Sequence, residues 1–211
     1  MKEVFKYYRE CSAELAAHID AYMTEEVKIG KDYVSLEKIT RETPLATCRS
    51  YVYRERNKDD IDGETAFNWH YDRTLFGGLI KDIYVMNNKI VDDPKFSSFT
   101  YNETAGNFIL PILNDDDIIM HHGMSMHILT AGHFNAHCHG VIIPKIEGLK
   151  RISNSYFIQP PPDMKLNPPV PYKMPKVQAH DVGLISERLG FKANWSQDMT
   201  YADWNEKLNN Q

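Results

Sequence analysis

A succession of short apolar segments separated by turn signals runs from residue 46 to residue 158, and this pattern limits the possible folds most strongly. The predicted strands lie within ATCRSYVYRE, TAFNWHYD, LFGGLIKDIYVM, GNFILPIL, DDDIIMHHG, MSMHILTAG, HFNAHCHGVIIP and RISNSYFIQP. Asn87 and Asn88 separate two apolar runs, and asparagine tolerates the left-handed geometry of a tight hairpin. Because no helical segment separates most of these runs, we expect an antiparallel sandwich or barrel such as a jelly roll.

Helical patterns flank the predicted strands. Residues 3–23 form an amphipathic helix whose apolar residues recur at steps of three and four: Val4, Tyr8, Cys11, Leu15, Ile19 and Tyr22. A short helix is predicted in VSLEKITRET, ending before Pro44. The proline-rich segment PPPDMKLNPPVPYKMP favours an extended strap. Helices are predicted again in VGLISERLGF and in TYADWNEKL, where Thr200 is the expected cap.

Length and composition are those of one globular domain. The chain has 211 residues, of which 42% are hydrophobic and 25% charged. We expect a mainly β fold with flanking helices (α+β), built on a double-stranded β-helix (jelly roll) core with a long N-terminal helix. Residues 1–45 are the expected helical support, residues 46–162 the core, and residues 163–211 the strap and C-terminal helices.

Charge and cysteine content exclude several classes of protein. The net charge of −5 provides no general attraction for nucleic acid or for anionic membranes. The three cysteines, Cys11, Cys48 and Cys138, are too scattered for a disulfide framework and lack zinc-ligand spacing. The charged N-terminus does not resemble a signal peptide, and no apolar run is long enough to cross a bilayer. We therefore expect a cytoplasmic protein.

Candidate metal ligands lie on two predicted strands that are distant in sequence. His70 and Asp72 are two residues apart, so in extended chain they point to the same side. By itself this pair is weak evidence for a metal site, because a surface histidine beside a turn aspartate has the same spacing. The downstream strand offers His133, His137 and His139. Two histidines and one carboxylate make the facial triad of non-haem Fe(II) oxygenases, which leaves metal positions open.

A candidate carboxylate receptor follows on the next strand. Arg151 and Ser153 also share a face, and a guanidinium with a hydroxyl suits a carboxylate inside a barrel. A surface salt bridge is the simpler interpretation of Arg151 alone, but its apolar flanks in RISNSYF favour burial.

The ordered set NWHYD, IIMHHGMSMHILTAGHFNAHCHGV and RISNSYFIQPPPD resembles the isopenicillin-N-synthase-like branch of the 2-oxoglutarate/Fe(II) oxygenases. The resemblance covers residues 46–162, and extends more loosely to the first helix and the TYADW tail. Gly123 is similar to the turn glycine of the family, and TAGHF to the turn before its histidine strand. The match favours His139 as the second histidine ligand, with His137 as the alternative.

The resemblance implies a metal site of His70, Asp72 and His139 that holds Fe(II). It also implies that Arg151 and Ser153, together with a third residue, Tyr53, bind 2-oxoglutarate, with dioxygen as the second co-substrate. The implied reaction releases succinate and carbon dioxide while it hydroxylates, demethylates or desaturates an unknown organic substrate. A halogenase is disfavoured because Asp72 occupies the halide position. Four aromatic residues are candidates for the pocket lining, although strand aromatics are more often core: Phe67, Trp69, Tyr71 and Tyr84.

The chain departs from the family pattern at its front. It starts at the helix and lacks the region that the family carries before it, and the gap between Asp72 and His139 is longer than usual. We expect a more open site, suited to a larger small-molecule or peptide substrate or to a partner that completes the pocket.

Two alternative functions stay open. They are an Fe(II) oxidase that does not use 2-oxoglutarate and a non-catalytic jelly-roll binding module. The oligomeric state stays open.

Overall fold

Two antiparallel β-sheets with helices around them form the described part of the chain. The computed structural model describes residues 2–30, 33–55, 65–92, 98–102, 107–109, 113–142, 146–171 and 195–209. The helices are α1 (Lys2–Glu25), α2 (Leu36–Glu42), α3 (Met124–Leu129) and α4 (Tyr201–Asn209). The strands are β1 (Ala46–Tyr53), β2 (Thr65–Tyr71), β3 (Phe76–Ile80), β4 (Ile83–Met86), β5 (Lys89–Val91), β6 (Ser98–Asn102), β7 (Asn107–Ile109), β8 (Ile118–His122), β9 (Cys138–Ile142) and β10 (Leu149–Ile158).

The larger sheet is organised around β10. Five of its six strands follow the order β5-β4-β10-β3-β8, and the sixth, β1, also pairs with β10. The first half of β10 pairs with β4 and its second half with β3, while β1 pairs along the whole strand. The smaller sheet has the order β2-β9-β6-β7. The result is a curled antiparallel half-barrel with a few helices, which confirms the predicted antiparallel arrangement of short strands.

Helix α1 covers the larger sheet with a face that differs from the predicted one. Its buried residues are Tyr8, Ser12, Ala13, Ala16, Ile19 and Met23. Tyr8 packs on Tyr156 of β10, with ring centroids 5.5 Å apart. Tyr22 was expected on the buried face, but 43% of it is exposed. Alanine and serine make up half of the buried face, and their small side chains allow the helix to approach the sheet closely.

Three local predictions are confirmed. Helix α2 ends before Pro44 as expected, and it begins at a cap that the sequence had not singled out, Ser35, whose hydroxyl accepts a hydrogen bond from the backbone N–H of Lys38 (3.1 Å). Asn87 and Asn88 form the β4–β5 hairpin turn with φ angles of 51° and 60°. Thr200 caps α4, since its hydroxyl accepts from the backbone N–H of Asp203 (3.2 Å).

The sequence predicted a strand in the segment MSMHILTAG. This prediction is wrong, because the segment contains helix α3. All six residues of α3 are buried, so no polar face reveals the helical period. Its methionines and leucine favour helix, and Ile128 is its only β-branched residue. The predicted helix in VGLISERLGF lies outside the described residues. Among the described helices, none combines the length and the apolar character that crossing a bilayer requires.

Candidate metal centre and carboxylate site

The smaller sheet brings the two histidines of the predicted triad together. His70, near the end of β2, lies opposite His139 of β9 in the antiparallel register, and the ring centroids are 4.3 Å apart. Asp72 follows one residue after the end of β2. One potential ligand atom from each of these three side chains lies within 4.8 Å of the other two. The structure therefore assembles the residues that the sequence selected, although their role as ligands stays a prediction.

The distances within this group leave space for a cation. His70 Nε2 is 3.7 Å from Asp72 Oδ1, and His139 Nε2 is 3.7 Å from Asp72 Oδ2. These separations exceed a normal hydrogen bond, so the three groups converge without bonding directly to one another. Their side chains are 14–21% exposed, which gives a partly buried site with access from solvent.

The protonation state of His139 suits a metal ligand. Its Nδ1 lies 3.1 Å from the carbonyl oxygen of His137, which can only accept a hydrogen bond. Nδ1 therefore carries the hydrogen, and the Nε2 lone pair faces Asp72. Burial, followed by the proximity of His121, lowers the pKa of His139 to about 3, so the ring is neutral at pH 7. A backbone carbonyl that fixes the imidazole in this way is typical of metal sites.

Asp72 is ionised at neutral pH. Burial alone raises the pKa of its carboxyl, but the hydrogen bond with His121 and the nearby His139 and His70 outweigh burial and bring the pKa to about 2. The site thus presents one carboxylate and two imidazoles. This donor set fits a divalent transition metal, whereas structural zinc sites are usually closed by a fourth protein ligand.

The start of α3 holds the backbone of Asp72 in place. The backbone N–H of Met124 donates to the Asp72 carbonyl (2.7 Å), and that of Gly123 donates to the Leu75 carbonyl (3.1 Å). Gly123 has extended backbone (φ −95°), so glycine is not required there by its dihedral angles. A Cβ at this position would lie 2.2 Å from the Thr74 carbonyl oxygen. The glycine that matched the family motif is therefore explained by close backbone approach.

A third histidine lies against this group and was not anticipated. The Nε2 atom of His121, in β8, lies 2.8 Å from Asp72 Oδ2, and the His121 ring centroid is 4.6 Å from that of His139. No local sequence pattern marks this contact, because it depends on how the two sheets face each other. Within the described residues, the group of potential ligands includes neither His133 nor His137.

The predicted carboxylate receptor is buried in the larger sheet. Arg151 is 1% exposed and Ser153 is 2% exposed. Tyr53 lies opposite Arg151 in the β1–β10 register, and the guanidinium carbon is 5.0 Å from the centroid of its ring. A surface salt bridge is therefore the wrong interpretation of Arg151.

Asp82 is a partner of Arg151 that the sequence did not reveal. Arg151 donates from Nε and Nη2 to Asp82 Oδ2, at 2.7 Å and 2.6 Å. Asp82 stands in the short connection between β3 and β4, where an aspartate resembles any turn residue. Of the candidate lining aromatics, Tyr84 is 1% exposed and belongs to the core, and Tyr71 packs against the core cluster. The side chains of Phe67 and Trp69 lie outside the described residues.

Solved structures that superpose on this chain identify the fold. It is the fold of 2-oxoglutarate/Fe(II) oxygenases. A Shewanella oneidensis structure assigned as an oxygenase matches with a TM-score of 0.62 and 18% identity, over 90% of this chain and 63% of that one. A full-length Neurospora crassa protein in complex with alpha-KG matches with a TM-score of 0.60 and 14% identity, over 100% and 56%. The rice dioxygenase for auxin oxidation matches with a TM-score of 0.59 and 14% identity, over 99% and 59%.

These matches concern the fold, since the sequences have diverged widely. The chain spans 56–63% of the length of these three structures. No protein-family model and no curated protein sequence matches the chain.

Proposed function

We propose that this chain is an Fe(II)- and 2-oxoglutarate-dependent dioxygenase, with iron held by His70, Asp72 and His139. The observation that carries the proposal is the convergence of these side chains, with ligand atoms within 4.8 Å of one another, on a fold shared with such oxygenases. We infer that the two sheets are the two faces of a jelly roll. In that fold, a strand pair such as β2 and β9 presents ligands at the mouth of the barrel.

The donor set favours iron with open coordination positions. Two imidazoles and one carboxylate match the 2-His-1-carboxylate triad. A ferrous ion bound there supplies dioxygen activation coupled to the oxidation of 2-oxoglutarate to succinate and carbon dioxide. The chain itself binds the metal, fixes the orientation of the imidazoles and limits the access of water. His139 contributes through the tautomer that the His137 carbonyl imposes.

Arg151 and Ser153 are the proposed receptor for the distal carboxylate of 2-oxoglutarate. Both are almost fully buried, so an ion pair there is little screened by solvent. Tyr53 completes the receptor by lying under the guanidinium. Asp82 already neutralises Arg151, and a carboxylate ligand must therefore share the guanidinium with Asp82 or displace it.

The Arg151–Asp82 pair also favours a second candidate function. An Fe(II) oxidase that does not use 2-oxoglutarate has no need of a carboxylate receptor, and in such an enzyme the pair is simply a buried structural ion pair. For either function we expect a small organic molecule or a peptide as the substrate.

An anaerobic titration with Fe(II) and 2-oxoglutarate tests the proposal. The expected result is a weak visible charge-transfer band from the chelate, followed by succinate formation when oxygen is admitted. His70→Ala abolishes the band through loss of metal, and Arg151→Ala abolishes it through loss of 2-oxoglutarate. His18→Ala, on the exposed side of α1, is the control and retains the band. Oxygen consumption without succinate favours the oxidase, and parent protein that binds no metal contradicts both functions.

A further inference from the structure

His121 lies against the metal-ligand group although the three-residue triad is complete without it. Its Nε2 is 2.8 Å from Asp72 Oδ2, and its side chain is 8% exposed. Water therefore competes little for this hydrogen bond. The contact joins the larger sheet, which carries β8, to the end of β2 in the smaller sheet.

The direction of this hydrogen bond follows from the chemistry of the two groups. An ionised carboxylate carries no hydrogen and can only accept. Nε2 of His121 must therefore donate, and a ring nitrogen that carries a hydrogen has no lone pair for a metal. His139 is in the opposite state, because its Nδ1 donates to the His137 carbonyl and leaves Nε2 available. The two neighbouring imidazoles thus have different roles.

Gly77 of β3 makes the contact between His121 and Asp72 sterically possible. It lies opposite His121 in the β3–β8 register. A Cβ at residue 77 would lie 2.2 Å from His121 Nε2, 2.6 Å from His121 Cε1 and 2.8 Å from Asp72 Oδ2. Any side chain here would displace the imidazole or the carboxylate. The missing side chain therefore provides the space in which these two groups meet.

We propose that His121 is a positioning residue for the metal ligand Asp72, and this inference rests on the proposed metal site. By donating to Oδ2, His121 fixes the rotation of the carboxylate and restricts it to ligation through one oxygen. A carboxylate that ligates through one oxygen occupies a single coordination position and leaves the others for the co-substrates. Partners of metal ligands in this role typically contribute 10–100-fold to metal affinity.

A Co(II) titration under anaerobic conditions, followed by d–d absorption, measures this role without catalysis. His121→Leu removes the donor, and we expect Co(II) binding weakened by about 10–100-fold, with an altered d–d spectrum and an unchanged stoichiometry of one. His121→Gln retains an N–H donor and is expected to recover most of the affinity and the parental spectrum. His18→Gln is the control, because it changes an exposed histidine of α1, outside the metal-ligand group, in the same way.

Each outcome distinguishes the role of His121 from the alternatives. His121→Leu with parental affinity and spectrum overturns the inference, as does equal weakening by His18→Gln. Loss of stoichiometric binding in both His121 variants, as in His70→Ala, identifies His121 as a ligand instead. Circular dichroism of the metal-free variants reports folding. If His121→Leu does not fold, Gly77→Ala replaces it, with the same expected weakening. Parent protein that binds no Co(II) contradicts the proposed function itself, whereas normal parent binding with an unaffected His121→Leu contradicts only the positioning role.

Discussion

His70 and His139 lie directly opposite each other in the β2–β9 ladder, with ring centroids 4.3 Å apart. The ladder is irregular between Thr65 and His70, where the register shifts twice. Such irregularities bend a strand and change the direction of its side chains, and they often occur next to active sites. Because both histidines belong to paired strands, the backbone determines the separation of the two imidazoles.

Removal of either opposed histidine is expected to abolish metal binding. His139→Ala leaves one imidazole and Asp72, and we expect Fe(II) affinity to fall by more than about 100-fold. This loss exceeds the one that typically follows when a hydrogen-bond partner of a metal ligand is removed. Competition with a coloured Fe(II) chelator measures the affinity. His137→Ala is the informative comparison, since the sequence left this residue as the alternative ligand. A larger loss for His137→Ala than for His139→Ala contradicts the assigned triad.

Asp82→Ala is expected to lower the stability of the protein without 2-oxoglutarate. It is also expected to increase the stabilisation that 2-oxoglutarate provides. The substitution leaves the buried guanidinium of Arg151 without its carboxylate, which costs about 3–5 kcal/mol. A ligand carboxylate restores the missing charge, so the increase in Tm on adding 2-oxoglutarate to the Co(II)-loaded protein should exceed that of the parent.

The matched control for Asp82→Ala is Asp115→Ala. Asp115 also pairs with a cation, Lys81, at 2.6 Å, but its side chain is 86% exposed. Exposed pairs contribute little to stability, so neither the Tm nor its response to 2-oxoglutarate should change. If Asp82→Ala shows no larger response than the parent, Arg151 is not the receptor and the oxidase becomes the better candidate.

The convergence of His70, Asp72 and His139 could be predicted from the sequence because its signals are local. His70 and Asp72 share a face by strand period, and His139 sits in a motif that resembles a known family. The contacts of Asp82 with Arg151 and of His121 with Asp72 join residues 69 and 49 positions apart. These two contacts depend on the strand register and on how the two sheets pack against each other, and no local sequence pattern encodes either. Apolar periodicity did not mark α3 as helical either, because all six of its residues are buried and no polar face reveals the period.

Gly123→Ala is expected to destabilise the fold and to weaken metal binding together. The added Cβ would meet the backbone oxygens of Thr74 and Asp72, at 2.2 Å and 2.8 Å, and backbone cannot move aside as a side chain can. We expect a loss of about 1–3 kcal/mol in the free energy of unfolding, measured by denaturant titration, and weaker Co(II) binding as Asp72 shifts. Gly30→Ala is the control, because nothing lies within 4 Å of its Cβ. An equal effect of both substitutions contradicts the steric explanation.

His122 is expected to make the stability of the metal-free protein sensitive to acid. Burial, and secondarily the neighbouring His121, lowers its pKa to about 4, against roughly 6.5 in the unfolded chain. At a pH between these two pKa values, His122 is protonated in the unfolded chain but not in the folded one. The free energy of unfolding therefore decreases as the pH falls from about 6.5 towards 4. One such histidine contributes roughly 1 kcal/mol per pH unit in this window and nothing above it.

His122→Phe should remove this contribution while keeping the packing. The His122 ring lies edge-on to Phe76 and Phe134, with centroids 5.7 Å from each, so an aromatic replacement retains these contacts. We expect the slope of unfolding free energy against pH to become smaller by roughly 1 kcal/mol per pH unit between pH 6 and pH 5, measured by denaturant titration in a chelator. The slope, unlike the absolute stability, is unaffected by any misfit of the larger ring. A parental slope in His122→Phe shows that His122 titrates normally in the folded state and contradicts the prediction.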